Sequence, residues 1–275
     1  MRKFIVRNIY RIIIILIALI QVYPLVWIIT ASFRDGAELS LEPFSFPKSI
    51  TLENYIRVIE DSNVFTYIKN SGILVIACLF FIVMLSSMVA FAVAKLRFRQ
   101  REKVFGYFMI GLTVPQFVTL IPIYVIYSKV HLVDSLVGVS LPLIGFSMPM
   151  AVLLFKNFYA YIPDELMDAA IMDGCSVYRI YFKIILPLSK NTIMSVVSMS
   201  FITVWNDYLF SLILINSSSL KTITVGLQDF IGLYGAQDWG ATFASICVST
   251  VPTLIVYFAL NGKVTSGMTL GATKG

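Results

Sequence analysis

Six runs of about twenty mainly apolar residues divide this sequence, and each is long enough to cross the roughly 30 Å hydrocarbon core of a bilayer as one helix. They run from about 11–30, 71–96, 104–127, 135–155, 192–215 and 241–260. A soluble domain of 275 residues needs a polar exterior, but 58% of this chain is hydrophobic and 13% is charged. Lipid is the solvent that suits such a sequence. The expected fold is therefore all-α: a polytopic membrane protein of six transmembrane helices forming a single domain over 1–275. Pro115, Pro122, Pro142 and Pro149 fall in the third and fourth runs, where neighbouring helices and water can satisfy the freed carbonyls. The first run follows Arg2, Lys3, Arg7 and Arg11, like a secretory signal. Its length, with Tyr23, Pro24 and Trp27 inside it, argues for a retained helix, although Ala31-Ser32 keeps a cleavage site open.

Basic residues set the orientation. With the N-terminus in the cytoplasm, fifteen of the 21 lysines and arginines lie inside. They include Lys95, Arg97, Arg99, Arg101 and Lys103 after the second run, and Lys156, Arg179, Lys183 and Lys190 after the fourth. Only Arg34, Lys48, Arg57, Lys69, Lys129 and Lys221 fall outside. Both termini are thus expected in the cytoplasm. The net charge of +6 is accounted for by membrane side, and no nucleic-acid module accompanies it. Cys78, Cys175 and Cys247 are too scattered for a disulfide framework, and with His131 as the one histidine neither a metal site nor a catalytic cluster is expected.

Three connections are long. The outside segment 33–70 is acidic, and the outside segment 216–240 is polar and glycine-rich. Between them, on the inside, lies a loop at 160–190. In it Pro163 suits a first helical position and Asp164 and Glu165 suit a helix N-terminus. Gly174 suits a left-handed C-terminal cap. A second helix is expected from Ser176 as N-cap to Ile185, stopped by Pro187. The small Ala169 and Ala170 would let another protein's surface approach this backbone. A helical hairpin lying on the membrane surface, with Arg179 and Lys183 toward lipid phosphates, is the other reading of the same residues.

At this loop the sequence resembles the permease subunits of binding-protein-dependent ABC importers. These carry Glu-Ala-Ala, a glycine four residues after the second alanine, and then Ile-x-Leu-Pro. The matching residues are Asp168-Ala169-Ala170, Gly174, Ile184, Leu186 and Pro187, and Asp173-Gly174 matches a frequent Asp-Gly pair. The chain departs from the pattern at Asp168 in place of glutamate and at Cys175 in place of alanine. The likeness extends through Thr51-Leu52-Glu53-Asn54-Tyr55, the basic exit Ala90–Arg99 and Trp205-Asn206-Asp207. The tail Gly267–Gly275 is similar to that of the smaller permease of maltose-type carbohydrate importers.

The resemblance implies a sugar importer of the bacterial cytoplasmic (inner) membrane. In it, this chain pairs with a second permease to form the path, two ATPase subunits bind below, and an extracytoplasmic sugar-binding protein delivers the solute. It implies ATPase coupling through Asp168, Ala169, Ala170, Asp173, Gly174, Leu186 and Pro187, and tail contacts with the ATPase at Gly271, Lys274 and Gly275. It also implies a loop at Gly232, Tyr234, Gly235 and Gln237 that reaches toward the binding protein. No cofactor is expected on this chain, since ATP and magnesium would belong to the ATPase. Asn261-Gly262-Lys263 offers a Gly-Lys pair, but Tyr257 stands where a phosphate loop needs its first glycine. An importer of polyamines or amino acids, a secondary transporter using Asp207 as its buried carboxylate, and a membrane enzyme are the competing readings.

Overall fold

The computed structural model describes residues 2–60, 63–230 and 238–272, with the backbone alone at 2–6, 230 and 260–272. In chain order the helices are α1 (Arg2–Ser32), α2 (Gly36–Leu41), α3 (Glu53–Glu60), α4 (Val64–Lys95), α5 (Arg101–Gly111), α6 (Gln116–Lys129) and α7 (Leu136–Ala160). They continue with α8 (Asp164–Met172), α9 (Val177–Ile180), a π-helical turn at Tyr181–Ile185, α10 (Leu186–Leu188), α11 (Lys190–Trp205), α12 (Leu209–Leu214), α13 (Ile223–Gly226) and α14 (Trp239–Ala272). Among the described residues there is no strand.

Four stretches are long and apolar enough to cross a membrane as they stand: Arg7–Ser32, Val64–Lys95, Leu136–Ala160 and Trp239–Ala259. They overlie the first, second, fourth and sixth expected spans. The other two expected spans are not single helices. The run at 104–127 is broken between α5 and α6, which meet at 97°. Pro115 stands at the N-cap of α6 and has no N–H to continue the ladder, while the Thr113 hydroxyl bonds back to the Ile110 carbonyl at 2.8 Å. Gly111 lets the end of α5 lie close on α7, because a Cβ there would be 2.7 Å from Pro149 Cγ.

The run at 192–215 is broken at 206–208. The Asn206 amide donates to the Ile202 carbonyl at 2.9 Å. The Asp207 carboxylate accepts from the Ser211 N–H at 3.0 Å and the Ser211 hydroxyl at 2.8 Å, so it caps α12. α11 is also joined at a 74° bend to the helical stretch Val177–Leu188. Counting each bent pair as one span gives up to six, the fifth of them then 177–205 where the sequence suggested 192–215.

The chain forms two compact units, 1–65 with 226–251 and 66–225 with 252–275. In the second, α7 is the central element and packs on α5, α11 and α12. The turn before α7 is held by Asp134, whose carboxylate accepts from the backbone of Asn216 and Ser217 at 2.9 and 2.8 Å. These bonds, with that of the Ser217 hydroxyl, hold the Asp134 carboxyl below the usual carboxylate range.

In the first unit, side chains 9–26 of α1 are all exposed. A helix apolar on every side and uncovered by its own chain belongs in lipid or against another membrane protein. The unit's anchor is Arg34, which is 1% exposed. Its guanidinium donates to Glu38 at 2.8 and 3.0 Å, to the carbonyls of Glu42 and Pro43 at 2.9 and 3.2 Å, and to the Ser45 hydroxyl at 2.7 Å. Asn54, also buried, donates to the carbonyls of Ser32 and Arg34 at 2.9 and 2.7 Å. Above them Trp27 packs edge-on to Phe243, with centroids 5.0 Å apart, and donates its indole N–H to the Pro43 carbonyl. Replacing Arg34 with alanine leaves the Glu38 carboxylate, 12% exposed, without its countercharge. We expect a loss of about 3–5 kcal/mol for such a one-sided deletion, read as a lower unfolding temperature of the purified protein in detergent.

Candidate functional site

The loop between α7 and α11 folds as a helical hairpin, and α4 holds both of its arms. The last turn of α4 supplies Lys95, which is only 4% exposed. Its ammonium donates to the Ile162 carbonyl at 2.5 Å and to the Asp164 carboxylate at 2.6 Å, tying down the start of α8. The hydrogen bond and charge of Lys95 hold the Asp164 carboxyl below the usual carboxylate range, with a smaller contribution from Arg97. Pro163 is the N-cap rather than the first helical residue, since its ψ of 138° is still extended.

Four and eight residues back along α4, on the same face as Lys95, stand Phe91 and Ser87. The Ser87 hydroxyl and the Tyr181 hydroxyl are 2.6 Å apart, and the rings of Phe91 and Tyr181 lie 5.4 Å apart. Residues 87, 91 and 95 therefore form one stripe that grips the first arm through Lys95 and the second through Tyr181.

α8 buries Met167 and Ala170 and presents Asp168, Ala169 and Asp173 to the outside of the chain. Around Asp168 the exposed face is mixed, with Asp164 and Glu165 one turn back and Ile171 and, at 88% exposure, Met172 one turn on. The helix ends in a complete Schellman cap. The Cys175 N–H reaches the Ala170 carbonyl and the Gly174 N–H reaches the Ile171 carbonyl, both at 2.9 Å. Gly174 sits at φ +77°, the left-handed conformation that this cap demands. Ala170 differs from its expected part. At 7% exposure it faces the hairpin's own interior, so its small size serves packing within the chain, and Ala169 is the small residue left open to a partner.

The second arm starts as the sequence suggests, with the Ser176 hydroxyl accepting from the Arg179 N–H. Pro187 does not stop it. The preceding turn widens to a π-helix, with the Leu186 N–H bonding to the Tyr181 carbonyl. That extra residue relieves the clash and missing donor that proline brings to an α-helix. The arm ends instead at Ser189, whose hydroxyl bonds to the Leu186 carbonyl at 2.7 Å. Leu186, half-buried, and Pro187, exposed, thus belong to the root of the second arm and not to the face of α8.

Gly232, Tyr234, Gly235 and Gln237 lie outside the described residues, as do Lys274 and Gly275, and Gly271 is described only as backbone of α14. Sequence reasoning passed over Lys95 as one more basic residue, and over the apolar rim of Met172 and Ile171. An apolar residue flanking the Asp-Gly cap was the available signal for the rim. No metal-binding group of three or more histidine, cysteine or acidic side chains is present among the described residues.

Long apolar helices, two of the expected spans broken, with a capped acidic hairpin held on one of them, describe a multi-pass membrane protein. The chain belongs to the family of binding-protein-dependent transport system inner membrane components, whose model matches residues 82–268. It is 36% identical to an ABC transporter permease protein of a Caldicellulosiruptor species, over 94% of this chain and 93% of that one. It is 31% identical to a diacetylchitobiose uptake system permease of Streptomyces coelicolor, over 92% of each. Its fold matches a bacterial ABC transporter involved in import of the acidic polysaccharide alginate, with a TM-score of 0.81 at 21% identity, over 94% of this chain and 96% of that one. The protein is a multi-pass inner-membrane permease, and these relatives are transport proteins rather than enzymes.

Two outcomes follow from the hairpin's geometry. Gly174→Val forces a β-branched residue to φ +77°, a cost of about 1–2 kcal/mol. Limited proteolysis should cut the hairpin of the variant faster than that of the wild type. The Lys95–Asp164 tether should depend on pH. Because folding lowers the Asp164 pKa, the contribution is complete above the ordinary carboxylate range and is lost as pH falls through the lowered value. Hydrogen exchange of the α8 amides should rise over that acid window, and Asp164→Asn should remove the dependence.

Proposed function

We propose that this chain is the permease subunit of an ATP-driven sugar importer, coupled to its ATPase through α8. The observation that carries the proposal is the exposed face of α8. Asp168 stands beside Ala169, with Asp164 and Glu165 one turn back and Ile171 and Met172 one turn on, on a helix closed by a rigid cap. An acidic stripe that runs into an exposed apolar edge suits a protein cleft offering an arginine, and suits lipid phosphates poorly because like charges repel.

The two ends of the hairpin's root are tied to α4, so a push on α8 is transmitted to a membrane span. In this reading two ATPase subunits take up ATP and magnesium, and a second permease completes the path. An extracytoplasmic binding protein brings the sugar. The hairpin lies in the cytoplasm with both termini, which agrees with the excess of lysine and arginine on that side. The solute class rests on the diacetylchitobiose relative and on the likeness of the tail to carbohydrate permeases. Asp207 does not favour a proton- or sodium-coupled carrier, since both of its oxygens are engaged in capping α12.

Asp168→Lys sets a like charge against the partner's arginine at a cost of about 2–5 kcal/mol. The variant should insert normally, fail to retain the ATPase in a detergent pull-down, and lose at least tenfold in uptake. Normal retention with normal uptake overturns the docking of α8.

A further inference from the structure

The last turn of α7 holds a phenol with nothing to bond. Tyr159 is fully buried, and its hydroxyl has no hydrogen-bond partner. A buried polar group left unpaired lowers stability and calls for a reason. Rotation of the side chain does not relieve it, because the ring is wedged on its own helix. It stacks on Phe155 with centroids 5.7 Å apart and lies against Phe158 at 6.1 Å. The hydroxyl is therefore fixed relative to α7, and a partner reaches it only when another helix moves.

Two hydroxyls stand beside it without bonding to it, those of Ser189 and Ser87, and both are fully buried. Their protons are already committed. Ser87 donates to the Met84 carbonyl at 3.1 Å, which leaves Tyr181 as the donor in the 2.6 Å contact between Tyr181 and Ser87. Ser189 donates to the Leu186 carbonyl at 2.7 Å, and no donor reaches its oxygen among the described residues. Ser189 is thus an acceptor without a donor, and Tyr159 is a donor without an acceptor.

The two serines also differ in what holds them. Ser87 belongs to α4, one unbroken helix of 32 residues. Ser189 is the break itself, between the stretch Val177–Leu188 and α11, which meet at 74°. Its backbone, at φ −83° and ψ 14°, lies in the bridge region and not in the helical well, so a change in the bend angle turns on this residue. The second arm of the hairpin ends here, and any shift of that arm enters α11 through Ser189.

We infer that Tyr159 is a positioning residue for coupling. It latches the bend by donating its hydroxyl to Ser189 in one conformation of the transport cycle, and the bond is open in the conformation of this structure. The inference rests on the reading of α8 as the ATPase contact and deepens it, since it names the joint through which movement of the hairpin enters a membrane span. One bond suffices, because a single neutral hydrogen bond shifts a two-state balance roughly 2- to 10-fold.

The test is hydrogen exchange of the amides at 186–193 in the complete transporter, with its ATPase, second permease and binding protein. Exchange is compared without nucleotide and after trapping with ATP and vanadate. ATP-driven uptake of diacetylchitobiose, maltose and cellobiose is measured in proteoliposomes of the same preparations. The variants are Tyr159→Phe, Ser189→Ala, the two together, and Ser189→Thr, which keeps the hydroxyl. In one of the two conditions Tyr159→Phe should raise exchange roughly 2- to 10-fold, and the double variant should exchange no faster than Ser189→Ala alone. In the other condition Tyr159→Phe should exchange no faster than the wild type, because deleting an unpaired hydroxyl removes only a cost. Uptake by Tyr159→Phe should fall by a similar factor, and Ser189→Thr should keep wild-type exchange and uptake. Faster exchange of Tyr159→Phe in neither condition overturns the latch. So does an equal rise in both, which is what a water bridging the hydroxyls throughout the cycle would give. Either result leaves the importer reading standing, whereas wild-type uptake that persists without ATP overturns both.

Discussion

Hydrocarbon offers no hydrogen bonds, and every departure of this backbone from a continuous helix has to be settled within the chain. The three breaks show how that is done. At 112–115 a threonine hydroxyl covers a carbonyl and a proline removes the donor that would have been stranded. At 189 a serine hydroxyl takes a carbonyl at a 74° bend. At 206–208 an asparagine amide covers one side of the gap and an aspartate carboxylate caps the other. Thr113, Ser189, Asn206 and Asp207 accordingly stand where a helix stops, and Asp207 in particular is a terminator of one helix and an initiator of the next.

The hairpin follows from the same economy carried to the membrane edge. Its first arm hangs from Lys95 and its second from Ser87 and Phe91, all on one stripe of α4. A displacement of α8 cannot then be absorbed in the loop alone, because both roots share a single rigid helix. The Schellman cap at Gly174 stiffens the tip, and the π turn at Tyr181–Ile185 lets a proline stand inside the second arm without ending it. What a partner would meet is Asp168 with Glu165 behind it and Met172 beyond, and what a membrane span would feel is the load on Lys95 and Tyr181.

Much of this was legible in the one-dimensional pattern, because its causes are local. Run length against bilayer thickness marks the spans. The asymmetry of lysine and arginine gives the expected sides. A glycine four residues past Ala170 marks the left-handed cap, since no other residue takes φ +77° cheaply. Other features depend on which distant groups meet, and periodicity carries no record of that. Nothing local distinguishes Arg34 from the other outside basic residues, yet the fold buries it under Glu38, two carbonyls and Ser45. Lys95 reads as one charge in a basic exit until Ile162 and Asp164 are folded against it. Ala170 and Ala169 are indistinguishable in sequence, and the turn of α8 puts one inside and leaves the other free. The close contact at Gly111 and the unpaired hydroxyl of Tyr159 both arise where α7 approaches another helix. Chemistry that a residue carries alone can be read along the chain, but chemistry that requires a neighbour waits on the packing that supplies it.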